Sequence, residues 1–91
     1  MKKGERIFVV GVYTEKGDWE SNYMDKKRAY LYKTTAEFIQ DNNDGTIKYK
    51  FGQGVHNGGE IGYDCFATEN EAIERVNGLN KYFRENGCLA E

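Results

Sequence analysis

Ile7-Phe8-Val9-Val10-Gly11-Val12-Tyr13 is β-branched and aromatic, and both alternating sets, Phe8/Val10/Val12 and Ile7/Val9/Tyr13, are apolar. A strand with two apolar faces has to be covered on both, so the run predicts a central strand. Thr14 to Lys27 is polar and carries the turn formers Gly17, Asp18, Ser21 and Asn22, which reads as a long loop. Arg28 to Lys33, with Tyr30, Leu31 and Tyr32, predicts a second strand. After it the pattern is ambiguous. Thr34-Thr35-Ala36-Glu37 has the spacing of a capping box and would open a short helix to Asp41, whereas Phe38-Ile39 would lead a strand into the turn Asn42-Asn43-Asp44-Gly45.

Thr46 to Phe51 alternates strictly, with Ile47, Tyr49 and Phe51 on one face and Lys48 and Lys50 on the other, as a half-solvated antiparallel strand does. Gly52 to Glu60 contains four glycines and is expected to be a mobile loop. Ile61 to Phe66 resumes alternation, with Ile61, Tyr63 and Cys65 as the expected inward set. From Glu69 to Asn86 the period becomes helical: Thr68 is placed as N-cap, Glu71 completes a capping box, and Gly87 supplies the stop. Ala72, Ile73, Val76, Leu79, Tyr82 and Phe83 form the face that would pack on the sheet. The pairs Glu71/Arg75 and Lys81/Glu85 lie four apart and would each add about 0.3 kcal/mol.

The expected architecture is α+β, an antiparallel sheet of about four strands packed against one C-terminal helix, with a second short helix near residues 35–41 as the open alternative. The chain has 91 residues, no proline and no low-complexity stretch, so it reads as a single domain with one core.

Charge changes the picture only locally. Thirteen basic residues face fifteen acidic ones, which removes the positive field expected of a duplex-DNA binder. Residues 1–59 hold ten Lys/Arg against eight Asp/Glu, while residues 60–91 hold three against seven, so the last third is acidic. The two cysteines, Cys65 and Cys88, match no metal spacing and are expected to be reduced. The apolar run at Ile7–Tyr13 is too short for a signal-peptide core or a membrane span. Cytoplasm is the expected compartment.

Candidate chemistry is sparse. The only histidine, His56, could be grouped with Cys65 and Asp64, but the thiol lies on the expected core-facing side of a strand and the histidine on a glycine-rich loop, so no catalytic residue is assigned. Asp41 to Gly45 lacks the closing acidic residue of a calcium loop. Gly52-Gln53-Gly54 with Gly58-Gly59 is followed by a strand rather than the helix of a phosphate loop. No metal or cofactor is expected.

Two binding patterns remain. Trp19, Tyr23 and Met24 on a polar loop have the composition of a protein-binding hot spot. Glu69, Glu71 and Glu74 on the helix could present carboxylates to a basic partner. The alternative is a single-stranded nucleic-acid surface made by Lys26, Lys27, Arg28, Tyr30 and Tyr32 with Lys48 and Lys50; its competing interpretation is sheet packing, with lysines guarding an edge.

Val12-Tyr13 leading to Gly17-Asp18-Trp19-Glu20-Ser21, then Phe66-Ala67-Thr68 opening a Glu-Ala helix, resembles small accessory proteins of bacteriophages and mobile elements. The resemblance is one of texture over most of the chain, with no motif from which functional residues transfer. It implies a stoichiometric protein binder, and several such proteins inhibit host defence machinery such as CRISPR nucleases or restriction enzymes. The expected function is therefore a non-enzymatic protein-interaction module, in its narrow form an inhibitor that occupies a nucleic-acid-binding surface.

Overall fold

The two-faced apolar run near the N-terminus is a strand, β1 (Arg6–Glu15), and it organises everything else. The computed structural model describes residues 1–18, 20 and 24–90. After β1 come β2 (Lys26–Leu31), β3 (Ala36–Asp41), β4 (Ile47–Phe51), β5 (Gly54–Gly59), β6 (Cys65–Phe66) and a helix, α1 (Glu69–Glu85). All strand pairings are antiparallel, and β1 is shared: residues 10–15 pair with β2, 8–9 with β6 and 6–7 with β3. β4 and β5 extend the sheet from β3, and β6 returns to β1, which curls the sheet.

Side-chain alternation along β1 sends its two apolar sets to two cores. Ile7 and Val9 join Ala36, Phe38, Ile47, Tyr49 and Cys65 inside the curl. Val10, with Phe8 beside it, joins Phe66, Ala72 and Leu31 under α1. The cover ends before the strand does, because Val12 is 45% and Tyr13 55% exposed. Two small cores in series make an elongated molecule, 48 × 24 × 24 Å, with a radius of gyration of 15.1 Å against about 12 Å for a compact chain of this length.

Several expectations are corrected. The antiparallel sheet with one C-terminal helix is as expected; the described residues add two strands to the expected four or so, the glycine-rich segment expected to be a loop, β5, and the ambiguous segment, β3. Gly52, at φ 62°, closes the β4–β5 turn, a backbone conformation that suits glycine, and a ladder needs only main-chain groups. Of the two open alternatives for the segment after Thr34, the strand holds, over residues 36–41. Ala36 and Phe38 are buried in the first core, and pairing with both β1 and β4 satisfies backbone groups that a short helix would have left at its ends. Ile61 and Tyr63 are not inward: they are 45% and 61% exposed. Glu60's carbonyl instead gathers the amides of Tyr63, Asp64 and Cys65 at 3.1–3.2 Å, tightening residues 60–65 into a turn.

The helix forms as its caps require. Thr68 Oγ1 accepts from the Glu71 amide at 3.3 Å, and Gly87 stops it at φ 68°. Its buried stripe is narrower than expected: Ala72 and Phe83 are buried, Val76 and Leu79 half-buried, and Ile73 and Tyr82 exposed. Arg75 does not pair with Glu71; its Nε donates to the Tyr63 carbonyl at 3.2 Å and its guanidinium lies 5.1 Å from that ring's centre. No helix among the described residues is long and apolar enough to cross a membrane.

Candidate functional site

The residues singled out from sequence are only partly brought together. Trp19 and Tyr23 lie outside the described residues. Met24 is 64% exposed. The three glutamates are exposed, but at 100° per residue Glu69 lies about 160° round the helix from Glu71. Only Glu71 and Glu74 share a side, and the Glu71 carboxylate already accepts the Thr68 hydroxyl at 2.8 Å.

The nucleic-acid set is divided by the sheet. Tyr30 and Tyr32 pack edge to face at 4.9 Å, their hydroxyls hydrogen-bonded at 2.9 Å, and Tyr32 continues to Phe51 at 5.1 Å. That places both tyrosines on the Phe51 face of β4, whereas Lys48 and Lys50 alternate onto the opposite face. Lys27 likewise alternates away from Tyr30. Of the cations left beside the tyrosines, Lys26 Nζ donates to the Gly87 carbonyl at 2.9 Å and Arg28 to the Ala90 carbonyl at 3.3 Å. The C-terminus has taken both.

The Cys65–His56 grouping is likewise unassembled as chemistry. Cys65 is fully buried, and burial first, then the Asp64 charge, pushes its thiol up from 9.0 to about 12. His56 is exposed and lies beside Tyr49, ring centres 5.1 Å apart. The Tyr49 hydroxyl is raised too, by burial first and then the Cys65 charge. A group whose folded pKa is raised keeps its proton longer in the folded chain, so stability is intact below the unfolded value and falls as pH rises. The expected outcome is a thermal midpoint that drops between pH 9.0 and about 12, with iodoacetamide reacting at Cys88 in the native protein and at Cys65 only on unfolding. Equal alkylation rates at the two thiols would contradict this. Asp41 and Asp44 bind their own turn, at Asn43 and Thr46, and the Thr46 hydroxyl holds the Asp44 carboxyl below its usual value. Among the described residues no group of three or more His, Cys, Asp or Glu could hold a metal ion.

The site that the fold does assemble is a cleft of about 370 Å³ between the second half of β1, the 62–64 turn and α1. Val10, Val12, Leu79 and Phe83 provide its apolar lining, and Thr14, Lys27, Tyr63, Asp64 and Arg75 its polar rim. It exists because α1 lies toward β2 at this level, where Asn80 bonds Ala29 opposite Val12, and leaves Val12 itself 45% exposed. Tyr82, 61% exposed, lies on the same side of α1 as Arg75, seven residues on. Sequence reasoning missed Val12, Tyr63 and Tyr82 because alternation and helical spacing assigned all three to the core.

The cleft borders a free strand edge. Tyr32's amide donates to the Val9 carbonyl at 2.9 Å, so in the antiparallel ladder Val9, Gly11 and Tyr13 face β2 and Val12 and Thr14 face away. The other strand agrees. Ala29 and Lys27, opposite Val12 and Thr14, turn their main chains to the far side of β2. Ala29 bonds the Asn80 carboxamide at 2.7 and 3.1 Å, and Lys27 bonds Cys88 and Ala90 at 2.7 and 2.9 Å. On the near side β6 reaches Phe8 and Val9, and Asp64's carbonyl takes the Val10 amide at 2.8 Å. Among the described residues nothing bonds the amides or carbonyls of Val12 and Thr14 beyond that point. The outer side of β2 is sealed, while the side of β1 beyond Val10 is unbonded among the described residues.

No family model, no curated protein and no solved structure matches this chain.

Proposed function

We propose that this chain is a non-enzymatic protein-interaction module that engages a partner protein at the cleft between β1 and α1. The observation that carries this reading is the exposure of Val12, Tyr63 and Tyr82, at 45–61%, around an apolar lining with Arg75 at the rim. Tyrosine and arginine around an apolar centre make up the composition of interface hot spots. The buried, hard-to-ionise Cys65 supports a non-enzymatic reading, since the thiolate is the nucleophile. The narrower form, an inhibitor of a host defence nuclease docking through Glu69, Glu71 and Glu74, draws support only from Glu71 and Glu74, which share a side of α1. The single-strand nucleic-acid alternative has Tyr30 and Tyr32 in contact but Lys48 and Lys50 behind them.

The test is affinity capture from a nuclease-treated bacterial lysate with the intact chain and with Tyr63→Ser. Tyr63 is exposed, so the variant should keep the parent's melting temperature. A stoichiometric protein retained by the parent and reduced about tenfold or more in the variant is the expected result. Equal capture by both would remove the cleft as the site. Recovery of nucleic acid alone in an untreated control, lost with Tyr30→Ala, would overturn the proposal in favour of the alternative.

A further inference from the structure

We infer that Asn57–Gly58 in β5 is a site of spontaneous covalent modification: the Gly58 nitrogen attacks the Asn57 side-chain carbonyl, ammonia leaves, and water opens the resulting succinimide to aspartate or isoaspartate. The new bond from the Gly58 nitrogen to Asn57 Cγ replaces the bond from Cγ to Nδ2, and the Gly58 amide proton leaves with the ammonia. Water is the one co-reactant. The product carries a carboxylate where a neutral carboxamide stood, and the isoaspartyl form adds one main-chain atom to β5.

The chain has three Asn–Gly steps, at 57–58, 77–78 and 86–87, and all six residues are exposed, so local geometry has to separate them. Asn77 and Gly78 lie inside α1, where the helical ladder holds the Gly78 amide. At the helix end the Gly87 amide donates to the Arg84 carbonyl at 3.1 Å and Asn86 Nδ2 donates to the Tyr82 carbonyl at 2.7 Å. Nucleophile and leaving group are both pinned there. β5, by contrast, pairs with β4 on one side only. Its register passes from Lys48↔Asn57 to Ile47↔Gly59, a bulge that leaves Gly58 with no residue opposite it. Gly58 sits at φ 116° with nothing within 4 Å of where a Cβ would stand, so the turn that brings its nitrogen to Cγ meets no obstacle.

A hydrogen-bond relay activates the carboxamide. The Asp44 carboxylate can only accept, so the Thr46 hydroxyl donates to it. Thr46 Oγ1 then accepts from Asn42 Nδ2 at 3.0 Å, which orients that carboxamide, and Asn42 Nδ2 also donates to Asn57 Oδ1 at 2.7 Å. Attack makes Asn57 Oδ1 negative, and a donor already in place stabilises the developing charge. The hydrogen bond at Asn57 thus falls on the oxygen that gains charge, whereas the one at Asn86 restrains the nitrogen that must leave.

The test ages the intact protein at neutral pH, in buffer and in urea, and follows all three sites by peptide mapping that separates asparagine, aspartate and isoaspartate. Urea gives the rates that local sequence sets. In buffer Asn57 is expected to convert at least as fast as in urea, while Asn77 and Asn86 fall about tenfold or more below their urea rates. Asn42→Leu, with its melting temperature as the check on folding, should slow Asn57 about threefold, the weight of one exposed hydrogen bond, and leave the other two sites alone. Conversion of Asn77 or Asn86 as fast as Asn57 in buffer, or protection of Asn57 by folding, would overturn the assignment, and neither result needs a variant. A folded Asn42→Leu chain that converts at the parent's rate would overturn it as well, since the relay would then have no effect.

Discussion

Gly59→Ala is expected to lower the free energy of unfolding by about 3 kcal/mol, the upper part of the range for overpacking a core, read as a lower urea midpoint at unchanged slope. A Cβ at Gly59 would stand 2.6 Å from Tyr49 Cε1 and 2.7 Å from Cys65 Sγ. Neither neighbour can give way, since Tyr49 is 4% and Cys65 0% exposed inside the curl of the sheet. Gly11→Ala is the control. Its Cβ would meet Tyr32 Cε2 at 2.6 Å and the Tyr30 ring at 2.9 Å, but those are the far ends of side chains that are each 36% exposed and can swing outward. The loss there should be about 1 kcal/mol or less. Equal losses at the two positions would mean that the first core is looser than its packing implies.

Asn80→Leu is expected to be as damaging, by a different route. Ala29 is 2% exposed, and its amide and carbonyl are both satisfied by the Asn80 carboxamide, at 2.7 and 3.1 Å. Leucine is close in size but offers no polar atom. It leaves a buried donor and a buried acceptor unpaired at about 1–3 kcal/mol each, so a total near 3 kcal/mol is expected. Thermal unfolding measures the loss, and hydrogen exchange at the Ala29 amide locates it. Asn80→Asp keeps the acceptor and loses the donor, and should fall between leucine and the parent. A stable leucine variant with an unprotected Ala29 amide would show that water replaces the carboxamide without cost.

These two substitutions act on what was hardest to see in the chain. Asn80 reads as one more polar residue of an amphipathic helix; only the packing of α1 across the sheet brings it to the β2 edge. Gly59 reads as loop, because a strand that is half glycine carries no side-chain period to detect. The same blindness hid Tyr63 and Tyr82. Alternation and helical spacing say which residues are apolar on one side of an element, but not where the covering element ends, and here α1 covers only part of β1.

The sequence by itself determined the elements with local signals. The first strand follows from its two apolar faces, the Ile47–Phe51 strand from strict alternation, and the helix from Thr68, Glu71 and Gly87, whose side chains or lack of one close the ends through neighbours a few residues away. Tertiary structure alone decided the rest. Residues 36–41 became a strand because β1 and β4 offered partners on both sides. Lys48 and Lys50 were parted from Tyr30 and Tyr32, and the outer side of β2 was sealed while, among the described residues, the main chain of Val12 and Thr14 stayed unbonded. Those outcomes depend on pairings and contacts between residues far apart in the chain, and no local pattern carries that information.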